Sequence, residues 1–144
     1  MKKSFAAYRQ LFVINGRLVA FSFLMTFYSS FGQTYFIGVF GPEIQAEFDL
    51  SHTLWGSIYL AGTLASALLM PFTGALIDRF SLSSYSIAVA FGLLAACACI
   101  SLASGPIMLV VAIFLLRQSG QGLASHVSIT SMARYFDRER GRAI

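Results

Sequence analysis

The chain has 144 residues, 57% of them hydrophobic and only 11% charged, with a mean hydropathy of +0.73 and a net charge of +4. Water-soluble domains carry about 25% charged residues, so this composition excludes an ordinary soluble domain and points to a helical membrane protein. The basic excess is assigned to membrane topology, by the charge placement described below, and no nucleic-acid partner is expected.

Residues 1–16 form an N-terminal segment carrying Lys2, Lys3 and Arg9. This resembles the charged start of a signal peptide. The apolar stretch that follows, over 18–40, is far longer than the about 7–15 residues of a signal-peptide core, and no small-x-small cleavage site follows it. A retained first span is therefore expected over residues 17–40. Its polar residues Ser22, Thr26, Ser29 and Gln33 recur at i, i+4, i+7 and i+11, which places them on one helical stripe. In the connection over 41–53, Pro42 suits a first helical turn and Ser51 suits an N-cap.

A second span is expected over 54–77, rich in small residues, with Ser57, Ala61 and Ala65 forming a small-xxx-small run for close helix packing. A tight polar turn over 78–84 leads to a third span over 85–104. Cys97 and Cys99 lie inside it at i and i+2, a spacing that matches no zinc or redox motif, and no metal or cofactor is expected. Pro106 starts a fourth span over 106–133, the longest and most polar, followed by a charged loop over 134–144.

Charge placement sets the orientation. Lys2, Lys3, Arg9, Arg17, Arg79, Arg134, Arg138, Arg140 and Arg142 all fall on one side of four such spans, whereas Glu43, Glu47, Asp49 and His52 fall on the other. By the positive-inside rule the basic side, with the N-terminus, is cytoplasmic. At Ile144 a basic stretch is turning apolar, which reads as the approach to a fifth span. The chain is expected to be the amino-terminal part of a longer protein.

The remaining basic residue, Arg117, lies 11 residues past Pro106, or about 16 Å along a helix, near the bilayer midplane. An arginine there costs about 2.5–3.5 kcal/mol on insertion scales, so it must face a polar interior or a counter-charge. A substrate or coupling role is expected; the bland alternative is a structural arginine held by backbone carbonyls. Gln121 is one turn on and shares its face. Thr26 and Ser29 fall at the same depth counted from the opposite side. Arg117, Gln121, Thr26, Ser29 and Gln33 are thus the candidate substrate or coupling residues of one polar cavity between the first and fourth spans. His126 is half a turn out of phase and reads as an interfacial hydrogen-bonded histidine, with a proton relay as the rival. Gly120 and Gly122 read as sites of close helix approach.

At the end of the second span stands Gly74-Ala75-Leu76-Ile77-Asp78-Arg79. The pattern Gly74-x-Leu76-x-Asp78-Arg79 resembles the first half of the signature of the major facilitator superfamily of secondary transporters. Phe80-Ser81-Leu82-Ser83 follows in place of the glycine and basic residues of its second half. Arg117 with Gly120-Gln121-Gly122 resembles the arginine-and-glycine signature of the family's fourth span, with the glycine register off by one. Arg138-Glu139-Arg140-Gly141-Arg142-Ala143 resembles the loop leading to the fifth span. Phe48-Asp49-Leu50-Ser51, with Gly56, is similar to the stretch before the second. Ser30-Phe31-Gly32-Gln33-Thr34 looks most like bacterial members related to the monocarboxylate porter branch. The resemblance covers residues 17–144.

What the resemblance implies is an all-α polytopic bundle, the first four spans of a twelve-span fold whose six-span halves are inverted three-span repeats, with substrate bound near the midplane and alternating access. It implies secondary transport of a small solute, such as a small organic anion of the monocarboxylate type, in the inner membrane of a bacterium. The implied partners are the bilayer, the small-molecule substrate, a coupling proton or counter-solute, and the missing C-terminal part. Gly74, Asp78 and Arg79 would act as a cytoplasmic gating latch. An enzyme is not expected, since no metal cluster, nucleophile triad or phosphate loop is visible. The alternatives are a drug or metabolite efflux member, a small four-span dimeric protein, and a non-transporting scaffold. A four-span proton-coupled exporter needs a membrane-embedded carboxylate, and none of the six acids lies deep in a span.

Overall fold

The computed structural model describes residues 2–135, with side chains from residue 16 onward. All of its described regular structure is helical. Helix α1 (Lys2–Ser29) is followed by a 3-10 turn (Ser30–Gly32), then α2 (Thr34–Val39) and α3 (Gly41–Glu47). Pro42 sits in the first turn of α3, where a missing N–H is no loss. That helix closes on Asp49, whose left-handed φ of 49° lets the Leu50 N–H reach back 2.8 Å to the Gln45 carbonyl. Ser51 then caps α4 (His52–Ala75) by accepting from the Leu54 N–H at 3.2 Å. The run Phe48-Asp49-Leu50-Ser51 is therefore a stop and a start set side by side.

A second 3-10 turn (Leu76–Asp78) extends α4, and Ser81 caps α5 (Leu82–Ser101) through the Ser84 N–H. The last rod is continuous in direction but not in winding: α6 (Pro106–Leu116), a π-helical segment (Arg117–Ala124) and α7 (Ser125–Tyr135). Among the described residues, three helical stretches are long and apolar enough to cross a membrane: His52–Asp78, Leu82–Ser101 and Pro106–Tyr135.

Within the first span expected over 17–40 the helix is interrupted. Its apolar stretch is divided at Ser30–Gly32, and Gln33 is extended with φ −79° and ψ 150°. A crossing over these residues would have to combine α1 and α2 through a break. Gly32 packs at this break against the π segment, where an added Cβ would fall 2.5 Å from the Gln121 nitrogen and 2.9 Å from the Gly120 Cα.

The inner rod of the bundle is α6, with Leu109, Ala112, Ile113 and Leu116 buried. Its Ile113 presses on α4 at Gly62, where an added Cβ would fall 2.8 Å from the isoleucine Cγ2. The contact face of α4 is Ile58, Gly62 and Ser66, all buried, whereas Ser57 and Ala61 of the expected small-residue run are exposed. The packing face is one residue round the helix from that run, because Gly62 admits a closer approach than Ala61. On the far side of α4, Leu60, Leu64 and Leu68 are exposed at four-residue intervals. An apolar stripe pointing outward fits a lipid solvent, not water.

Candidate functional site

The polar residues of the last rod sit where it winds more widely than an α-helix. π-Helical turns are rare and frequently occur at functional sites, where about one additional residue per turn displaces the side chains around them. The segment Arg117–Ala124 lies against the broken first rod, and Gly32 meets Gly120 backbone to backbone. A Cβ on Gly120 would fall 2.7 Å from the Gly32 nitrogen and 2.8 Å from its Cα. Only a pair of glycines permits this crossing.

Irregular backbone in an apolar surrounding needs partners for its polar groups. Arg117 supplies one. Its Nη1 donates to the Gly32 carbonyl at 3.2 Å and to Thr34 Oγ1 at 3.1 Å. Tyr59, from α4, donates its hydroxyl to the same Thr34 oxygen at 3.0 Å, and its ring centre lies 5.7 Å from the guanidinium carbon. A guanidinium has five N–H donors. Two are spent here, both on Nη1. Among the described residues the Nε and Nη2 edge has no partner, and that edge fits a carboxylate through two parallel hydrogen bonds. Among the described residues no acidic side chain pairs with Arg117.

Thr26 and Ser29 have other partners. A seam of hydroxyls ties α1 to α7: Ser22 Oγ to Ser131 Oγ at 2.7 Å, Thr26 Oγ1 to Ser128 Oγ at 2.7 Å, and Ser128 Oγ to the Ser22 carbonyl at 2.8 Å. Ser131 donates to the Ser128 carbonyl, and Ser29 donates to the Thr26 carbonyl. Beside the seam opens a cavity of about 450 Å³, lined by Ser22, Thr26, Ser125 and Ser128 with Phe23 and Met132 among its apolar walls.

At the Asp78 end, Arg134 of α7 donates to Asp78 Oδ1 at 2.6 Å and to the Ile77 carbonyl at 3.2 Å. The pair is open, with the Asp78 side chain 75% exposed, so it contributes little to stability and can be broken cheaply. Gly74 lies one turn earlier, where an added Cβ would come within 3.8 Å of the His126 ring, and an open groove of about 600 Å³ runs past Met70, Gly74, Asp78 and His126.

The model of the Major Facilitator Superfamily matches residues 22–144. The chain belongs to the major facilitator superfamily. No curated protein and no solved structure matches it. Membership makes it a multi-pass integral membrane protein of a transporter superfamily, and it points away from an enzyme.

Within this facilitator-type bundle the sequence candidates separate into three places. Arg117 stands at the break with Thr34 and Tyr59. Gln121, half-buried, keeps its Oε1 buried with no hydrogen-bond partner. Gln33 is half-buried at the break itself, its carbonyl accepting from the Phe36 and Ile37 N–H groups. Thr26 belongs to the α1/α7 seam, and Ser29 donates within α1 to the Thr26 carbonyl. Asp78 and Gly74 lie at the far end, while Arg79 is exposed beside them. The loop resembling the approach to a fifth span lies outside the described residues.

Sequence reasoning missed Thr34, Tyr59, Arg134 and Gln118. Gln118 is buried between helices, accepting from Ser66 at 2.9 Å and donating to Thr73 at 2.6 Å. Tyr85 then donates to the Thr73 carbonyl at 2.7 Å, which brings α5 into the same network. The signal for Gln118 was available: an amide inside an apolar span must find a partner. Nothing in the sequence says that the partner is on α4.

Proposed function

We propose that this chain is part of a secondary active transporter that carries a small organic anion, of the monocarboxylate type, by alternating access. The proposal places it in a bacterial plasma membrane with the basic side cytoplasmic, and couples it to a proton or a counter-solute. The observation that carries it is the unspent Nε/Nη2 edge of Arg117, held on a fixed guanidinium that lacks an acidic partner among the described residues. A charge kept in such a place is costly unless it is used. Asp78 and Arg134 form the cytoplasmic latch of the cycle: an exposed ion pair joins two rods at one end and opens without large cost.

A second role for Arg117 is favoured by its bond to the Gly32 carbonyl. It pins the break in the first rod, as a structural arginine would. The two roles use different nitrogens, so one side chain serves both.

The test is uptake of radiolabelled pyruvate by cells expressing the intact protein. Arg117→Gln should lower uptake at least about tenfold, the loss of one strong charge-assisted contact, with the amount of membrane-inserted protein unchanged. Arg117→Lys should not restore it, because an ammonium lacks the planar fork. Undiminished uptake by Arg117→Gln would sink the anion-anchor reading.

A further inference from the structure

The open groove at the Asp78 end holds a side chain with no part so far in the transport cycle. His126 of α7 lines it, facing Met70, Pro71, Gly74 and Asp78 with alanines between them. His126 is half-buried, and its ring makes no hydrogen bond or ion pair among the described residues; the side-chain bonds that join the rods here come from Arg134. Asp78 is the one charged residue that His126 meets in the groove lining. The described parts of the elements packed on α7 add no other charge to it. The π segment carries Arg117, held at the break, and α5 carries Tyr85, bound to the Thr73 carbonyl. Arg17 of α1 and Arg79 are exposed outside the lining. Arg134 holds Asp78 by Oδ1 alone, so Oδ2 has no partner among the described residues, and a carboxylate accepts about four hydrogen bonds. Gly74 leaves room for the ring, since an added Cβ would already come within 3.8 Å of the imidazole. It stands four residues before Asp78, or about 6 Å of helix rise. Imidazole and carboxylate thus share one open groove about one turn apart.

Histidine is the side chain whose charge ordinarily changes between about pH 5 and 8. Its neighbours at this end are different: Arg134 keeps its charge, and Asp78 is already paired with it. We propose that His126 is a proton-binding site that ties pH at the Asp78 end of the protein to the Asp78–Arg134 latch. A proton on His126 sets a second cation beside Asp78, on the same rod as Arg134. The carboxylate is then drawn to α7 from two points, which favours the latched state over the open one. Loss of the proton leaves Arg134 alone to hold it. The inference rests on the latch reading of Asp78 and Arg134.

The experiment is a double-mutant cycle of His126→Gln and Asp78→Asn in the intact purified protein, read by thermal melting in detergent at about pH 8 and about pH 5.5, either side of histidine titration. At the higher pH the two substitutions should be additive. At the lower pH they should be coupled, with a roughly threefold effect on the folding equilibrium, that of unit charges about 7 Å apart in a water-like dielectric. A histidine that only packs would couple equally at both pH values, so a coupling that does not grow on acidification overturns the proposal. His126→Asn completes the same cycle if the glutamine variant does not accumulate. Exchange of labelled pyruvate by proteoliposomes, with the same pH on both sides, reads the latch. The cycle needs the latch to open, so acidification should slow exchange roughly threefold more in the wild type than in His126→Gln, the same charge effect. If the coupling appears in melting while both proteins respond alike in exchange, the latch reading of Asp78 and Arg134 fails and the tie to transport with it. That outcome is distinct from a coupling that never appears, which removes the proton site itself.

Discussion

Replacing Gly120 with alanine tests the crossing on which the site is built. The added Cβ would lie 2.7 Å from the Gly32 nitrogen and 2.8 Å from the Gly32 Cα. Heavy atoms rest about 3.5–4.0 Å apart at van der Waals contact, so the two backbones must separate by roughly 1 Å. No side chain can swing aside, because both offended atoms are main chain. Overpacking of this kind costs about 1–3 kcal/mol. The separation also acts on Arg117, whose bond to the Gly32 carbonyl is already 3.2 Å long. An added fraction of an ångström takes it beyond hydrogen-bond range. Gly120→Ala is therefore expected to lower the melting temperature of the purified protein in detergent and to reduce uptake together. Gly56→Ala is the control. It lies in α4 with nothing within 4 Å of an added Cβ, and alanine there should gain up to about 1 kcal/mol from helix propensity. The two alanines thus carry opposite signs. Equal melting temperatures for Gly120→Ala and wild type would refute the backbone crossing and the pinning of Arg117 with it.

Ser66→Ala should destabilise the protein by about 1–3 kcal/mol, since it leaves the buried Gln118 Oε1 without its donor; thermal melting in detergent checks this, and an unchanged melting temperature contradicts the network. Asp78→Asn should slow turnover with little change in substrate KM, and Arg134→Gln should do the same. Because their side chains are 75% and 38% exposed, a double-mutant cycle on melting should give a coupling below about 1 kcal/mol. A pure loss of affinity in Asp78→Asn would count against a latch.

Several features were legible in the chain because they are local. Ser51, Ser81 and Pro106 start helices through groups within three residues of themselves, and the outward leucine stripe of α4 needs only composition to read. Arg117 stood out because its burial has a price in hydrocarbon. The break at Ser30–Gly32 did not stand out, since serine, phenylalanine and glycine in an apolar run are all tolerated in a helix. The break packs against Gly120, far away in sequence, and that contact is invisible to any local pattern. The same holds for Arg117's neighbours. Nothing local in the sequence marks Thr34 or Tyr59 as its partners. Only the fold sets them on one oxygen. For the hydroxyls of the first rod, the shared face of Ser22 and Thr26 could be read from spacing. The partners on that face are Ser128 and Ser131 of α7, and spacing alone does not distinguish them from a bound solute.

The hydroxyl seam between α1 and α7 has a direction. Its four hydroxyls, Ser22, Thr26, Ser128 and Ser131, make four contacts with one another and with two carbonyls. One proton per hydroxyl leaves a single assignment that uses every contact: Ser131 to the Ser128 carbonyl, Ser22 to Ser131, Ser128 to the Ser22 carbonyl, Thr26 to Ser128. No proton is in reserve. Any guest that drew one from the seam would unfasten a stitch between the two rods, so the seam behaves as a weld, and the adjoining cavity can offer a guest only lone pairs from its welded edge.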